Sequence, residues 1–214
     1  PSTGEVIAVL PDMGRDETSR AIDAAYTAQK AWAKKTGKER AGALRKLFDL
    51  MVANADDLAT ILTTEMGKPW AEARGEILYG ASYVEWFGEE AKRVYGDLFG
   101  GAQADKRIIV IRQPVGVVGA ITPWNFPFWQ LIRAAAPAMM AGNAVVLKHA
   151  SNVPQCALAL EAAFQQSGFP THTFRTLMIS AAQAEQVITD RRVAAVTLTG
   201  SSAAGRKVAA IAGQ

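Results

Sequence analysis

The chain has 214 residues, half of them hydrophobic and 20% charged, with a formal net charge of +3. This composition indicates a globular protein with a substantial core. The basic residues are spread along the chain, which argues against a nucleic-acid partner, and the longest apolar runs fall far short of the roughly 20 residues that cross a membrane. One cysteine and two histidines exclude an internal disulfide and provide no metal-ligand spacing. We therefore expect no metal and a reduced, cytoplasmic compartment.

The first part of the chain has helical spacing. Between about Asp16 and Tyr95, apolar residues recur every three or four positions, as they do on the buried face of a helix. One such face is formed by Leu44, Leu47, Phe48, Met51 and Val52.

A second helix is predicted to begin with Asp56 as its cap and to stop at Gly67, because glycine commonly ends helices. Pro69 then opens a third helix, since proline is favoured in the first helical turn. These segments predict an N-terminal helical layer.

From about Arg107 onward, short valine- and isoleucine-rich runs alternate with helix-length segments. The predicted strands are Val115–Ile121, Ala144–Lys148, Phe174–Ile179 and Ala194–Leu198. The predicted crossover helices are Phe128–Ala141, Val153–Ser167 and Ala181–Thr189. This alternation predicts an α/β fold in which the helical layer precedes a Rossmann-like parallel βαβ sheet. A further strand, Ile108–Arg112, is either an arm or a sheet edge.

Ligands of such sheets bind at the carboxyl ends of the strands. Three segments there are candidates, namely Thr122–Pro127, Lys148–Asn152 and Thr199–Gly205. In the last of these, Gly200 permits a sharp turn and the helix that follows offers free amides to an anion. The segment is either a phosphate-binding turn or a plain strand-to-helix connection. Lys148 is likewise either a ligand of a phosphate or ribose, or a solvated cation.

The segment Thr122–Pro127 carries the most information. Its two prolines fix φ at both ends of the sequence Trp-Asn-Phe, so the loop is stiff. A stiff loop holds the side-chain amide of Asn125 in one orientation, where its NH₂ group can stabilise an oxyanion. The alternative is a structural turn over an aromatic plug.

These motifs together resemble the aldehyde dehydrogenase superfamily. The resemblance rests on the segment Ile121–Pro127, the helix that leads to Ala141-Gly142-Asn143, and the strand that ends at Lys148. The opening Pro1–Glu5, the stretch from Glu65 to Glu76 and the turn Thr199–Gly205 also resemble segments of that family, in the same order. The run Trp124–Gln130 with Lys148–Asn152 is most similar to the bacterial succinate-semialdehyde dehydrogenases.

The resemblance implies a reaction and a set of residues. In this family a cysteine thiolate attacks an aldehyde, hydride passes to NAD or NADP, and a glutamate activates the water that releases the acid. Asn125 would donate its amide to the oxyanion as the catalytic residue of this chain. The residues implied to contact the dinucleotide are Ile121, Thr122, Pro123, Trp124, Lys148, Ser151, Gly200, Ser201 and Gly205.

Two positions carry predictions about specificity. Many family members have a glutamate where this chain has Ser151, and that glutamate repels a 2′-phosphate, so NADP or dual use is expected here. Alternatively, Ser151 simply caps the helix that starts near Val153. Arg133 resembles an arginine that holds the distal carboxylate of succinate semialdehyde, a group that suits a guanidinium fork. Alternatively, Arg133 is a surface cation on an amphipathic helix, and the enzyme is a dehydrogenase for a neutral aldehyde.

The family's Gly-Gln-x-Cys and Glu-Leu-Gly-Gly motifs do not occur in these 214 residues. Cys156 lies among apolar residues of a helix, where an inert buried thiol is expected. The predicted divisions are a helical part (1–102), an oligomerisation-arm strand (103–114) and a dinucleotide-binding core (115–214), with no catalytic domain. We expect a homo-oligomeric dimer or tetramer for a full-length enzyme, no membrane partner, and no activity from the isolated chain. A non-catalytic dinucleotide-binding or structural fragment is the alternative.

Overall fold

The computed structural model describes all 214 residues and begins with four helices, of which the last three pack together. They are α1 (Arg15–Ala33), α2 (Gly37–Ala53), α3 (Ala55–Met66) and α4 (Trp70–Glu90). Leu44, Leu47 and Met51 are fully buried on one face of α2, which confirms the predicted helical layer. Val52 is wrongly predicted to share that face, because it lies at the margin of the apolar stripe and is exposed.

The start of α3 differs from the prediction. Asn54 lies directly before α3 and also ends α2, so the two helices are separated by a single residue. Asp56, the predicted cap, is instead inside the first turn, where its carboxylate accepts a 2.7 Å hydrogen bond from Arg74 Nε. The predicted end is confirmed, since Gly67 has a left-handed φ of 83°.

The second half of the chain is the predicted parallel α/β unit. Its elements are β3 (Val117–Ile121), α5 (Pro127–Met140), β4 (Ala144–Lys148), α6 (Pro154–Gln166), β5 (Phe174–Thr176), a 3₁₀ turn (Ala181–Gln183), α7 (Ala184–Thr189), β6 (Val193–Leu198) and α8 (Ser202–Ala212). The four strands are parallel in the order β5-β4-β3-β6. β5 is shorter than predicted, because beyond it the carbonyl of Met178 pairs with the amide of Met13 at 2.8 Å.

A separate hairpin precedes this sheet. It consists of β1 (Asp97–Gly100) and β2 (Arg107–Val110), which pair antiparallel and are exposed along their whole length. The hairpin crosses the predicted boundary between residues 102 and 103. The strand of the predicted arm, β2, therefore pairs with β1, which precedes it in the chain. The three-part division of the chain remains a prediction.

Helices cover both faces of the sheet at β3, β4 and β5, as parallel sheets require, whereas Ala194 and Ala195 of the edge strand β6 are exposed. One face packs α5 and α6 against the helical layer, with Phe128, Leu147 and Phe164 in a shared core. The other face is covered by α1 and α7, where Ile22 and Val187 pack on the sheet. None of the helices combines the length and apolar character needed to cross a membrane.

Candidate active site

The carboxyl ends of three neighbouring strands lie side by side. Ile121 at the end of β3 pairs in register with Lys148 of β4 on one side and with Leu198 of β6 on the other. Neighbouring strands of a sheet are about 4.8 Å apart, so the three loops that follow emerge next to one another. The chain leaves β3 toward β4 and later returns to its opposite side as β6. This strand-order reversal is where α/β sheets bind ligands.

The loop after β3 presents some side chains and buries others. Thr122 is buried, and its hydroxyl lies 2.8 Å from Nδ1 of His149, so this side chain ties two strand ends together. Trp124, Asn125 and Phe126 are exposed. The amide of Asn125 is thus presented at the surface near the strand ends.

The helical layer holds this loop from beneath. Lys68 Nζ pairs with the Glu76 carboxylate and donates a 2.9 Å hydrogen bond to the main-chain oxygen of Asn125. The other oxygen of Glu76 accepts from the amides of Phe128 and Trp129, at 2.9 and 3.2 Å. No role was predicted for Lys68 or Glu76, although both lie in the stretch that resembles the family.

The end of β4 contributes Lys148, which is only 8% exposed. Burial lowers the pKa of its ammonium group. Together with Ile121 and Leu198, it lines a cleft of about 170 Å³ between α7 and α8. Lys148 is therefore not the freely solvated cation that was its alternative role.

Ser151 is exposed in the turn after Lys148 and borders a second cleft of about 290 Å³. The interpretation of Ser151 as a helix cap is wrong, because α6 begins after Val153 without a side-chain cap. The first amides of α6 instead donate to a side chain of α3. The carboxylate of Glu65 accepts from Gln155 N at 2.7 Å and from Cys156 N at 2.9 Å.

The turn after β6 differs in detail from the prediction. Ser201 caps α8, where its hydroxyl accepts from Ala204 N at 3.2 Å. Gly200 does not adopt a left-handed φ, and a Cβ added there would meet nothing closer than 3.8 Å. The turn itself therefore does not require glycine. Gly200 is exposed just before the start of α8.

An aromatic surface borders the Asn125 loop, and the sequence did not reveal it. On α5, Trp129 stacks on Tyr79 of α4 with a centroid separation of 5.3 Å, and the ring of Tyr83 meets Trp129 edge-on. The exposed guanidinium of Arg133 lies 5.8 Å from the centroid of Trp129. Arg133 lies eight residues after Asn125, in the second turn of α5. A cation beside an aromatic wall is arranged to bind a small organic anion.

Cys156 has the predicted inert character. It is fully buried in α6, and burial together with the charge of Glu65 raises the pKa of its thiol. A nucleophilic cysteine needs a lowered pKa and access to substrate. Cys156 has neither property.

His149 provides a pH-dependent element of the strand-end region. Burial lowers its pKa from 6.5 to about 4, and its Nε2 has no hydrogen-bond partner. The folded protein thus keeps His149 neutral where the unfolded chain is protonated, so the unfolded state binds more protons between pH 6.5 and about 4. Stability from this group is present above pH 6.5 and is lost as the pH falls through that window.

Replacing His149 with asparagine, which keeps a polar group near the position of Nδ1, is expected to remove part of this acid sensitivity. Urea unfolding at about pH 7 and about pH 4.5 should show the variant losing about 1–3 kcal/mol less than the wild type between the two conditions. An equal loss of unfolding free energy in both proteins would show that His149 does not cause the loss of stability at low pH.

Comparisons with known proteins agree with this geometry. The aldehyde dehydrogenase family model matches residues 1–214. The chain belongs to the aldehyde dehydrogenase family. It is 52% identical over 211 residues to glutarate-semialdehyde dehydrogenase of Pseudomonas aeruginosa, covering 98% of this chain and 44% of that protein. It is 49% identical over 209 residues to an Escherichia coli succinate-semialdehyde dehydrogenase named for NADP(+), covering 97% of this chain and 43% of that protein.

A solved structure extends the similarity to three dimensions. The succinate-semialdehyde dehydrogenase of Burkholderia pseudomallei superimposes with a TM-score of 0.97 at 46% identity, covering 100% of this chain and 44% of that one. The aldehyde dehydrogenase chain described here therefore spans less than half the length of these relatives. The α/β fold and the family predicted from the sequence are confirmed.

Proposed function

We propose that this chain supplies the dinucleotide site and the oxyanion donor for NAD(P)-dependent oxidation of a small aldehyde that carries a distal carboxylate. The observation that carries this proposal is the lateral alignment of three strand ends. It places the Asn125 loop between Lys148 and the Gly200 turn at the point where strand order reverses.

The residues at this edge fit a dinucleotide. The first-turn amides of α8 favour an anion, and Gly200 leaves the backbone open to a close approach. Lys148 adds a partly desolvated cation beside the cleft between α7 and α8, which suits a phosphate or ribose. The bound dinucleotide would supply the hydride acceptor, while these residues hold it against the end of the sheet.

Asn125 would act on the substrate side. Its NH₂ group is a neutral donor, and the hydrogen bond that it forms becomes stronger as negative charge develops on the aldehyde oxygen. Because Cys156 is buried and its thiol pKa is raised, the proposed reaction requires a thiolate other than Cys156. A reduced compartment such as the cytoplasm, predicted from the sequence, would keep such a thiol available.

The substrate class follows from Arg133 and its surroundings. The names of the Pseudomonas and Escherichia relatives specify glutarate and succinate semialdehydes, which share a carboxylate at the end opposite the aldehyde. Arg133 is exposed on the same helix whose start bears the Asn125 loop, so one guanidinium can hold that carboxylate while the aldehyde lies toward Asn125. The aromatic wall formed by Trp129 and Tyr79 suits the methylene chain in between.

The cofactor is proposed to be NADP or NAD, with no discrimination against NADP. Ser151 offers a hydroxyl where a carboxylate would repel a 2′-phosphate, and the Escherichia relative is named for NADP(+). Ser151 is exposed, so its side chain is open to that phosphate.

We propose a homo-oligomer assembled through the β1–β2 hairpin. Its exposed strands carry large apolar side chains, including Leu98, Phe99 and Ile109. An exposed apolar hairpin with free edges is a surface that a second copy can cover.

The test is steady-state oxidation by the naturally produced protein, followed by absorbance of the reduced nicotinamide. We expect turnover of succinate and glutarate semialdehydes, and Arg133→Leu should raise KM for both by about 10–100-fold, since a charge-assisted hydrogen bond contributes roughly 1.5–3 kcal/mol. Arg133→Lys is the matched control and should lose less, because it keeps the charge but not the fork. An unchanged KM in Arg133→Leu, or faster turnover of butanal than of the semialdehydes, would exclude the carboxylate role and favour a neutral aldehyde.

A further inference from the structure

A buried ion pair lies directly under the Asn125 loop. Lys68 follows the left-handed Gly67 that ends α3, and Glu76 comes from the second turn of α4. Their side chains are only 7% and 1% exposed. Burying two charges costs more than their attraction returns unless further hydrogen bonds satisfy them. The additional bonds of this pair all go to one short segment.

That segment is Asn125–Trp129, and the pair holds both of its ends. Lys68 Nζ donates to the main-chain oxygen of Asn125 at 2.9 Å and lies 3.9 Å from the centroid of the Phe126 ring. Glu76 accepts from the amides of Phe128 and Trp129. The two charges thus fix the peptide after Asn125 and the first turn of α5 together.

We propose that Lys68 and Glu76 are positioning residues, which set the direction of the Asn125 side chain by holding its main chain. The inference rests on the proposed function, because it assigns Asn125 the role of oxyanion donor. Fixing the peptide plane that follows Asn125 restricts its ψ, and hence the orientation of Cα–Cβ relative to the strand ends. A donor serves a developing oxyanion only when it is held in place before the reaction, and a misplacement of about 1 Å can cost about 100-fold in rate.

Glu65 shows that capping alone does not require a lysine. It caps α6 as Glu76 caps α5, with one carboxylate on two first-turn amides, yet it forms no salt bridge. What distinguishes the Lys68–Glu76 pair is the bond to the carbonyl of Asn125. A helix-capping role explains the carboxylate, and the positioning role explains the buried ammonium.

A double-mutant cycle in the naturally produced protein tests this. Lys68→Met is expected to lower kcat for succinate semialdehyde by about 10–100-fold in the wild-type background, with little change in KM for the dinucleotide. In the Asn125→Ala background, the same substitution should change kcat by less than about twofold, because the group that it positions is gone. Lys68→Arg, which keeps a buried cation near the same carbonyl, should recover part of the loss.

Glu65→Gln is the matched control, since it weakens an equivalent cap on the neighbouring helix, and its effect should be equal in both backgrounds. If Lys68→Met does not fold, Glu76→Gln takes its place, because it removes the partner charge and keeps an oxygen for the α5 amides. An equal loss in both backgrounds overturns the positioning role while leaving the proposed function intact. If Asn125→Ala alone leaves kcat unchanged, the proposed function itself fails.

Discussion

Replacing Asn125 with alanine is expected to lower kcat for semialdehyde oxidation by about 10²–10³-fold, the typical result of removing one oxyanion donor. The KM for the dinucleotide should stay within about threefold of wild type, because the lost interaction forms mainly in the transition state. Steady-state rates with saturating dinucleotide and varied semialdehyde provide the measurement. The loss should appear in kcat and kcat/KM alike.

Two further variants separate donation from packing. Asn125→Asp keeps the shape of the side chain but replaces the donor with an oxygen, so its kcat should fall at least as far as that of the alanine variant. Asn152→Ala removes an exposed amide from the neighbouring loop and should leave kcat nearly unchanged. A near-normal kcat in Asn125→Asp would mean that the amide does not stabilise an oxyanion.

The sheet and its ligand-binding edge were predictable from the sequence because they depend on local pattern. Val-rich runs such as Ala144–Lys148 are too short and too β-branched for helices, and the segments between them have crossover length. Once the strands are parallel, the positions of Thr122–Pro127 and Thr199–Gly205 at one edge follow from chain direction alone. The strand order β5-β4-β3-β6 then brings those two loops next to each other.

The support beneath the loop was not predictable in the same way. Lys68 is 57 residues from Asn125, and periodicity carries no information about which polar side chains meet across layers. The same holds for Tyr79 and Trp129, which stack only because α4 packs on α5. In the sequence, a lysine that follows a helix-ending glycine is expected to be a surface residue. Lys68 is buried because Glu76 of α4 pairs with its charge.

Predictions from local residue preferences were wrong for two helix caps and one turn. Asp56 has the chemistry of a cap, but the close junction of α2 and α3 leaves Asn54 in that position. Ser151 has the same chemistry, but Glu65 reaches the first turn of α6 from α3. Gly200 was expected to serve the turn, although its backbone conformation is open to any residue. Only the second of these depends on a contact between layers, because the carboxylate of Glu65 accepts from the first amides of α6.

The correction at Ser151 leads to a strong prediction about the cofactor. Because its hydroxyl does not cap α6 and is exposed, it is free to face a ribose or a 2′-phosphate. Ser151→Glu is expected to lower kcat/KM for NADP by about 100-fold or more, since a carboxylate repels the phosphate and competes for Lys148. Activity with NAD should change by less than about fivefold, because a carboxylate can accept hydrogen bonds from ribose hydroxyls.

Charge and bulk are separable at this position. Ser151→Gln adds nearly the same volume without charge, so it should retain much more NADP activity than the glutamate variant. A comparable loss in both variants would mean that the turn after β4 tolerates no larger side chain, whatever its charge. Equal losses with NAD and NADP in Ser151→Glu would place the 2′-phosphate away from Ser151, leaving Lys148 and the cleft between α7 and α8 to hold the ribose unaided.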